Sequence, residues 1–250
     1  MIGSLQTTLE NAVKKTKLDV DLSQIMSNDF NEIIDRRLWD ETVSLQAEFN
    51  SGVQKNWKEN PNVDFWMAIL DETLEVLNSR SWKWWKNTDN FGIVDKDNII
   101  VELTDIFLFL LSQSLKENTS ELLYVAIANA EIDKETIEVN IDQKFFEEFW
   151  EKFLMACVLK STPMVIIHWV EFWYRAGGNI NDLFKSFRVK AALNNIRQEF
   201  GYSSGKYIKN WAGEEDNVVA YRLAESLELT ETLVDDLTSE LRKYYLEKVV

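Results

Sequence analysis

The sequence predicts an all-α protein, a multi-helix bundle with a metal site between its core helices, and three observations carry that prediction. Eight glycines and two prolines in 250 residues are about a third of average usage, too few for a turn-rich β architecture. Apolar residues recur at spacings of three and four, as in Ile99, Leu103, Ile106 and Leu110 or Phe145, Phe149, Phe153 and Cys157, the period of a helix with one buried face. Carboxylates follow the same period on two segments, Glu72 with Glu75 and Glu102 with Asp105.

Taken in order, residues 1–42 are polar, carry a Lys14-Lys15-Thr16-Lys17 run and read as an N-terminal helical extension, either a helix pair or a partly mobile arm, ahead of a main domain over 43–250. Leu45–Trp57 and Ser79–Lys86 have the look of ligand-facing helices. Asn60-Pro61 and Thr162-Pro163 each place a capping side chain before a proline, the signature of a helix start, and the first precedes Phe65, Ile69, Leu74 and Leu77 at helical spacing. The pattern is weakest over Lys116–Ile141. Gly177-Gly178 closes the helix from Pro163, Gly201 closes one from about Asn181, and Asn217–Leu246 reads as two helices joined near Leu229-Thr230. No segment reads as a strand.

Composition removes several classes of function. Asp and Glu outnumber Lys and Arg by 42 to 27, a formal charge of −15, which repels polyanions, so a nucleic-acid partner is not expected. Cys157 alone cannot form an intrachain disulfide, and His168 alone leaves no imidazole pair for zinc. His168, among Val165, Ile166, Ile167 and Trp169, reads as a satisfied core or interface residue. Met1–Lys15 has no apolar targeting core, and the longest apolar runs, Ile106–Leu111 and Met164–Ile167, are short of a bilayer. The expectation is a cytoplasmic protein with no membrane partner.

Glu72 and Glu75 share one helical face, as do Glu102 and Asp105. Their helices also carry Phe65, Ile69, Leu74, Leu103, Ile106 and Phe109, which sets the acids beside apolar stripes where like charges need cations. Four carboxylates without His or Cys suit a hard cation, Mg²⁺ or Mn²⁺. Such an ion would neutralise phosphate charge and activate a water, the chemistry of phosphoryl hydrolysis. A second polar segment is basic: Lys190, Asn194 and Arg197 share a face, and Tyr202, Lys206, Tyr207 and Lys209 follow Gly201 in a Gly-flanked loop, a set of donors matched to phosphates. Gln46 and Asn50 are four apart, and their amides supply the donor and acceptor that a uracil edge needs. Trp82, Trp84 and Trp85 suit either base stacking or helix packing.

In this order and spacing, LQAEFNSGVQKNW (45–57), DETLEVLNSRSWKWWKN (71–87), VELTDIF (101–107) and KAALNNIRQEFGYSSGKYIKNWAGEEDN (190–217) resemble the dimeric all-α dUTP diphosphatases, within the all-α NTP pyrophosphohydrolase superfamily. The resemblance runs from about Val43 to Asn217 and makes 43–250 a dUTPase-like catalytic domain. It implies Mg²⁺-dependent hydrolysis of dUTP, and of dUDP, to dUMP by water attack at the α-phosphorus. It assigns the metal to Glu72, Glu75, Glu102 and Asp105, with Glu72 or Glu75 orienting or deprotonating the water. It gives the phosphates to Lys190, Asn194, Arg197, Tyr202 and Lys209, the uracil to Gln46, Asn50 and Trp57, and part of the site wall to Trp82, Lys83 and Trp85. It further implies a homodimer. Asn78 stands where the family pattern calls for Asp. Two alternatives stay open at this point, a pyrophosphohydrolase of broader base specificity and a nucleotide-switched regulatory protein that has kept the pocket.

Overall fold

The computed structural model describes residues 33–86 and 89–249. The predicted extension over 1–42 therefore lies outside the described residues for its first 32 positions, the Lys14–Lys17 run included. The chain divides into two compact units, one ending at Ile180 and one from Asn181 onward, and each is helical.

In the first unit α1 spans Arg36–Val53, α2 Phe65–Asn78, α3 Lys96–Glu117 and α4 Ser120–Asp133. α5, Gln143–Glu148, continues through a π-helical stretch at Phe149–Leu154 into α6, Met155–Val158, and α7 spans Thr162–Arg175. Aspartates start four of these helices. Asp35 accepts from Arg37 N, Asp64 from Trp66 N, Asp95 from Asn98 N and Asp142 from Phe145 N, each satisfying a backbone donor that the first turn leaves without a partner. α1 runs through position 42 without a break.

α2 and α3 form an extensive helix pair, and they are antiparallel: Asn98, at the start of α3, donates to the Ser79 hydroxyl at the end of α2. Their shared face buries Ile69, Thr73 and Val76 against Ile99, Leu103 and Ile106. α3 is long and apolar enough to cross a membrane by length and composition, but 67% of its most apolar window is buried inside the protein, the character of a core helix. α7 packs on α3 and α4, and Trp169 reaches from it to donate its indole N–H to the Leu103 carbonyl at 2.9 Å. Phe145, Phe149, Phe153 and Phe172 complete this core as stacked and edge-on rings with centroids 4.9 to 6.1 Å apart.

α7 ends as its glycines predict. Gly177, at φ 92°, donates to Tyr174 O, and Gly178 donates to Trp173 O, the paired bonds of a left-handed C-terminal cap. A Cβ on Gly178 would stand 2.4 Å from the Trp173 ring, so only glycine fits there.

Several sequence expectations change. Pro61 lies in a turn, with Asn60 Oδ1 accepting from Asn62 N, and the helix waits for the Asp64 cap. Residues 79–86 are not helical. Ser79 Oγ donates to the Glu75 carbonyl, and the backbone then pairs across to residues 92–95 through Ser81 N to Ile93 O, Gly92 N to Ser81 O and Asp95 N to Ser79 O, which claims the groups that a further helical turn would need. Trp57 lies in the turn after α1 rather than on it. Lys116–Ile141, weak in pattern, holds α4, whose apolar residues are spread around its circumference rather than gathered on one face. Leu74, expected on an apolar stripe, is 48% exposed.

In the second unit α8 spans Ile180–Glu199, β1 Asn210–Trp211, β2 Glu214–Glu215, α9 Asp216–Ala224 and α10 Leu233–Lys248. β1 and β2 make a hairpin that the sequence did not announce. Ala212 and Gly213 both have positive φ, 53° and 99°, the turn type whose twist matches paired strands.

Candidate active site

The carboxylates come together on the antiparallel α2–α3 pair. Glu72 from α2 faces Glu102 and Asp105, one turn apart on α3, and one oxygen of each lies within 4.8 Å of the others. All three are half-buried. The donor set is oxygen alone, and a six-coordinate Mg²⁺ with bonds near 2.1 Å spans about 4.2 Å between opposite ligands, so the triad fits a hard divalent cation after slight closure. Glu75 stands outside this triad and is exposed on α2, as is Asp71.

Gln46 and Asn50, buried on α1, meet on a residue that sequence reasoning missed. Gln46 Nε2 donates to Asn50 Oδ1 at 3.1 Å and to Ser112 Oγ at 3.0 Å, and Asn50 Nδ2 donates to the same hydroxyl at 2.9 Å. Ser112 in turn donates to the Leu108 carbonyl one turn back along α3. A serine inside an apolar helix run carries no spacing signal of its own. Trp57 is buried, with its indole N–H on Ser51 Oγ at 3.2 Å and its ring edge-on to Phe65.

Trp82, Trp84 and Trp85 are exposed and pack edge to face, with centroids 5.4 and 5.7 Å apart. Lys83 Nζ lies over the Trp82 ring. Asn78 accepts the Trp82 indole N–H at 3.3 Å, so the residue that departs from the family pattern is tied to this loop. Beside it a cavity of about 620 Å³ is lined by Leu77, Asn78, Arg80, Trp82, Phe146 and Trp150, among others.

The second unit gathers the predicted phosphate residues around a buried acid that the sequence reading left out of the site. Arg197 grips Asp216 with Nε and Nη2, both at 2.9 Å, and reaches Asn194 Oδ1 with Nη1. The Tyr207 hydroxyl donates to Asp216 at 2.8 Å, as does Asn217 N. Burial pushes the Asp216 carboxyl up, but Arg197, Tyr207 and the Asn217 amide outweigh it and hold it below the usual range. Burial beside that carboxylate pushes the Tyr207 phenol up. Lys190 is fully buried on α8 and donates to Asn217 Oδ1 at 2.9 Å. Arg197 and Lys209 lie over the exposed Tyr202 ring, 5.7 and 5.6 Å from its centre. The signal for Asp216 was present in the Glu215-Asp216-Asn217 end of the fourth motif. His168 sits on α7 against Glu171, at 3.4 Å.

An all-α core with an oxygen-only acidic cluster on two antiparallel helices has the donor set that a divalent-cation-dependent hydrolase of phosphate esters requires. Residues 38–202, more than half of the chain, match the family model described as dUTPase. The chain belongs to this all-α dimeric dUTPase family, and its activity is that of a dUTP diphosphatase acting on a small nucleotide. Enzymes of the family depend in general on divalent metals, and Glu72, Glu102 and Asp105 are a cluster able to hold one. No curated protein matches the sequence.

Proposed function

We propose that the enzyme hydrolyses dUTP, and dUDP, to dUMP with Mg²⁺, or Mn²⁺ in its place. The observation that carries this is the Glu72, Glu102 and Asp105 triad within the family-matched segment. Water attacks the α-phosphorus, its oxygen forms the new P–O bond, and the bond to the β-phosphate oxygen breaks, releasing pyrophosphate from dUTP or phosphate from dUDP. Glu72, Glu102 and Asp105, with Glu75 on the same face as Glu72, would hold the metal. When bound, the ion lowers the charge repulsion against the incoming oxygen and the pKa of a ligated water. Glu72 or Glu75 orients the attacking water and takes its proton.

Lys190, Asn194, Arg197, Tyr202 and Lys209 take the phosphates, with Asp216 holding the Arg197 fork in one orientation. Gln46, Asn50 and Trp57 take the uracil, and Trp82, Lys83 and Trp85 contribute to the site wall. The enzyme acts as a homodimer on the soluble nucleotide pool of the cytoplasm. Supporting the dimer, Met67, Leu74, Trp84, Trp85, Phe91 and Ile93 are 48–66% exposed in the first unit, apolar side chains that a second copy would cover. Light scattering should give twice the chain mass, and a monomer at working concentration refutes that part.

The deciding assay is release of dUMP and pyrophosphate from dUTP, beside dTTP, dCTP and UTP, with and without Mg²⁺. Glu102→Gln should lose at least about 100-fold in kcat, and Arg197→Ala should raise KM and lower kcat together. Full turnover in chelator, or in Glu102→Gln, would sink the metal reading. Equal turnover of dCTP would sink uracil selectivity.

A further inference from the structure

We propose that Ser112 sets the hydrogen-bonding polarity of the Gln46–Asn50 amide pair and is thereby a specificity-determining positioning residue that separates uracil from cytosine. The proposal rests on the base-binding role of those two amides. A hydroxyl has one proton and two lone pairs. Ser112, fully buried on α3, places its proton on the Leu108 carbonyl at 2.8 Å. Both lone pairs are then left for Gln46 and Asn50, and only N–H groups can meet them, which they do at 3.0 and 2.9 Å. An amide turned the other way would set its carbonyl oxygen against an oxygen lone pair, a buried mismatch.

Gln46 places its other N–H on Asn50 Oδ1. What the pair can still offer is therefore fixed: Gln46 Oε1, an acceptor, and one N–H of Asn50 Nδ2, a donor. Neither has a hydrogen bond among the described residues, and Gln46 and Asn50 keep 4% and 7% exposure, so the network is not sealed. A uracil edge carries N3–H beside the C4 carbonyl and complements that acceptor and donor. Cytosine in the same pose sets its N3 lone pair against Gln46 Oε1 and its amino group against the Asn50 N–H. With both amides reversed the preference would invert, and Ser112 is the group that forbids the reversal.

The test is kcat/KM for dUTP and for dCTP with the full-length enzyme, its Ser112→Ala, Ser112→Cys and Ser112→Thr variants, and Gln46→Ala. Ser112→Ala should lower the dUTP-to-dCTP ratio by about ten- to a hundredfold, through a higher KM for dUTP and a faster dCTP reaction. Ser112→Cys, which keeps the packing but offers a weak acceptor, should move the ratio the same way, and it serves where the alanine variant does not fold. Ser112→Thr should restore the ratio. A purely structural role lowers both substrates alike, and that result in Ala and Cys overturns the proposal while leaving the base site standing, provided Gln46→Ala raises the KM for dUTP. An unchanged KM in Gln46→Ala removes the base site and the proposal with it.

Discussion

Two groups of aromatic side chains in the first unit use the same residue types to opposite ends. Around α7 the rings of Phe145, Phe149, Phe153, Phe172, Trp169 and Trp173 are fully buried, and the indole N–H groups of both tryptophans find carbonyl partners, Leu103 and Asn179. On the 79–95 loop Trp82, Trp84 and Trp85 are 42–66% exposed and lean mainly on one another. Buried rings are held by surrounding contacts and a satisfied polar handle, whereas the loop rings leave about half of their surface to solvent. A count of ten tryptophans could not separate these uses. The separation lies in the backbone, since α7 delivers its rings at helical spacing to one face and the loop ladder cannot.

The largest effect that would sharpen this contrast is at Trp169. Trp169→Ala should cost about 3–5 kcal/mol of stability, read in urea, while Trp84→Ala should stay within about 0.5 kcal/mol in the same titration; equal losses break the comparison. Gly178→Ala comes next, at about 1–3 kcal/mol, because the added methyl must displace the Trp173 ring or the cap, and an unchanged melting temperature would show that the ring yields freely.

A smaller effect concerns the charges over the buried rings. Arg175 lies over Phe145 and Phe172 and pairs with Glu148 and Glu171, and Lys152 and His168 also meet Glu171. The His168 hydrogen bond and then Lys152, working against burial, bring the Glu171 carboxyl down to about 2. A depressed carboxylate contributes stability that is whole above its ordinary pKa and disappears as pH falls through the folded value, so this contribution should fade between about 4.5 and 2. Glu171→Gln should flatten the melting temperature over that window, and an unaltered acid limb would remove Glu171 as its source. The smallest is chemical. Burial pushes the Cys157 thiol up to about 12, so an alkylating reagent should label it only on unfolding, and fast labelling of the native enzyme would contradict a closed core.

The helical period was legible where a helix buries one face, as in α2 and α7, and in the first turns of the core helix α3, and so were the glycine stops at Gly177 and Gly201. It failed at α4, whose apolar residues are not confined to one side, and at residues 79–86, where backbone pairing with 92–95 overrode local preference. In the site, Glu72, Glu102 and Asp105 were legible because carboxylates at three-residue spacing on apolar helices are conspicuous. Ser112 was not, because its partner Asn50 lies 62 residues away in sequence, and Asp216, although it stood in the fourth motif, gave no sign of its pairing with Arg197, 19 residues away. Spacing rules see one helix at a time.

The edge-to-face pair of Trp84 and Trp85 has an optical consequence. Two indoles held 5.7 Å apart at 87° couple their transition dipoles as excitons, and this pair stands at the surface rather than in the core. The expected outcome is an exciton contribution from the loop to the circular-dichroism spectrum, beside that of the buried Trp169 and Trp173, whose rings also lie 5.7 Å apart, and Trp84→Phe should remove the loop's share alone. A ligand or second subunit that turns either ring would alter the loop's share while the helices stay as they are.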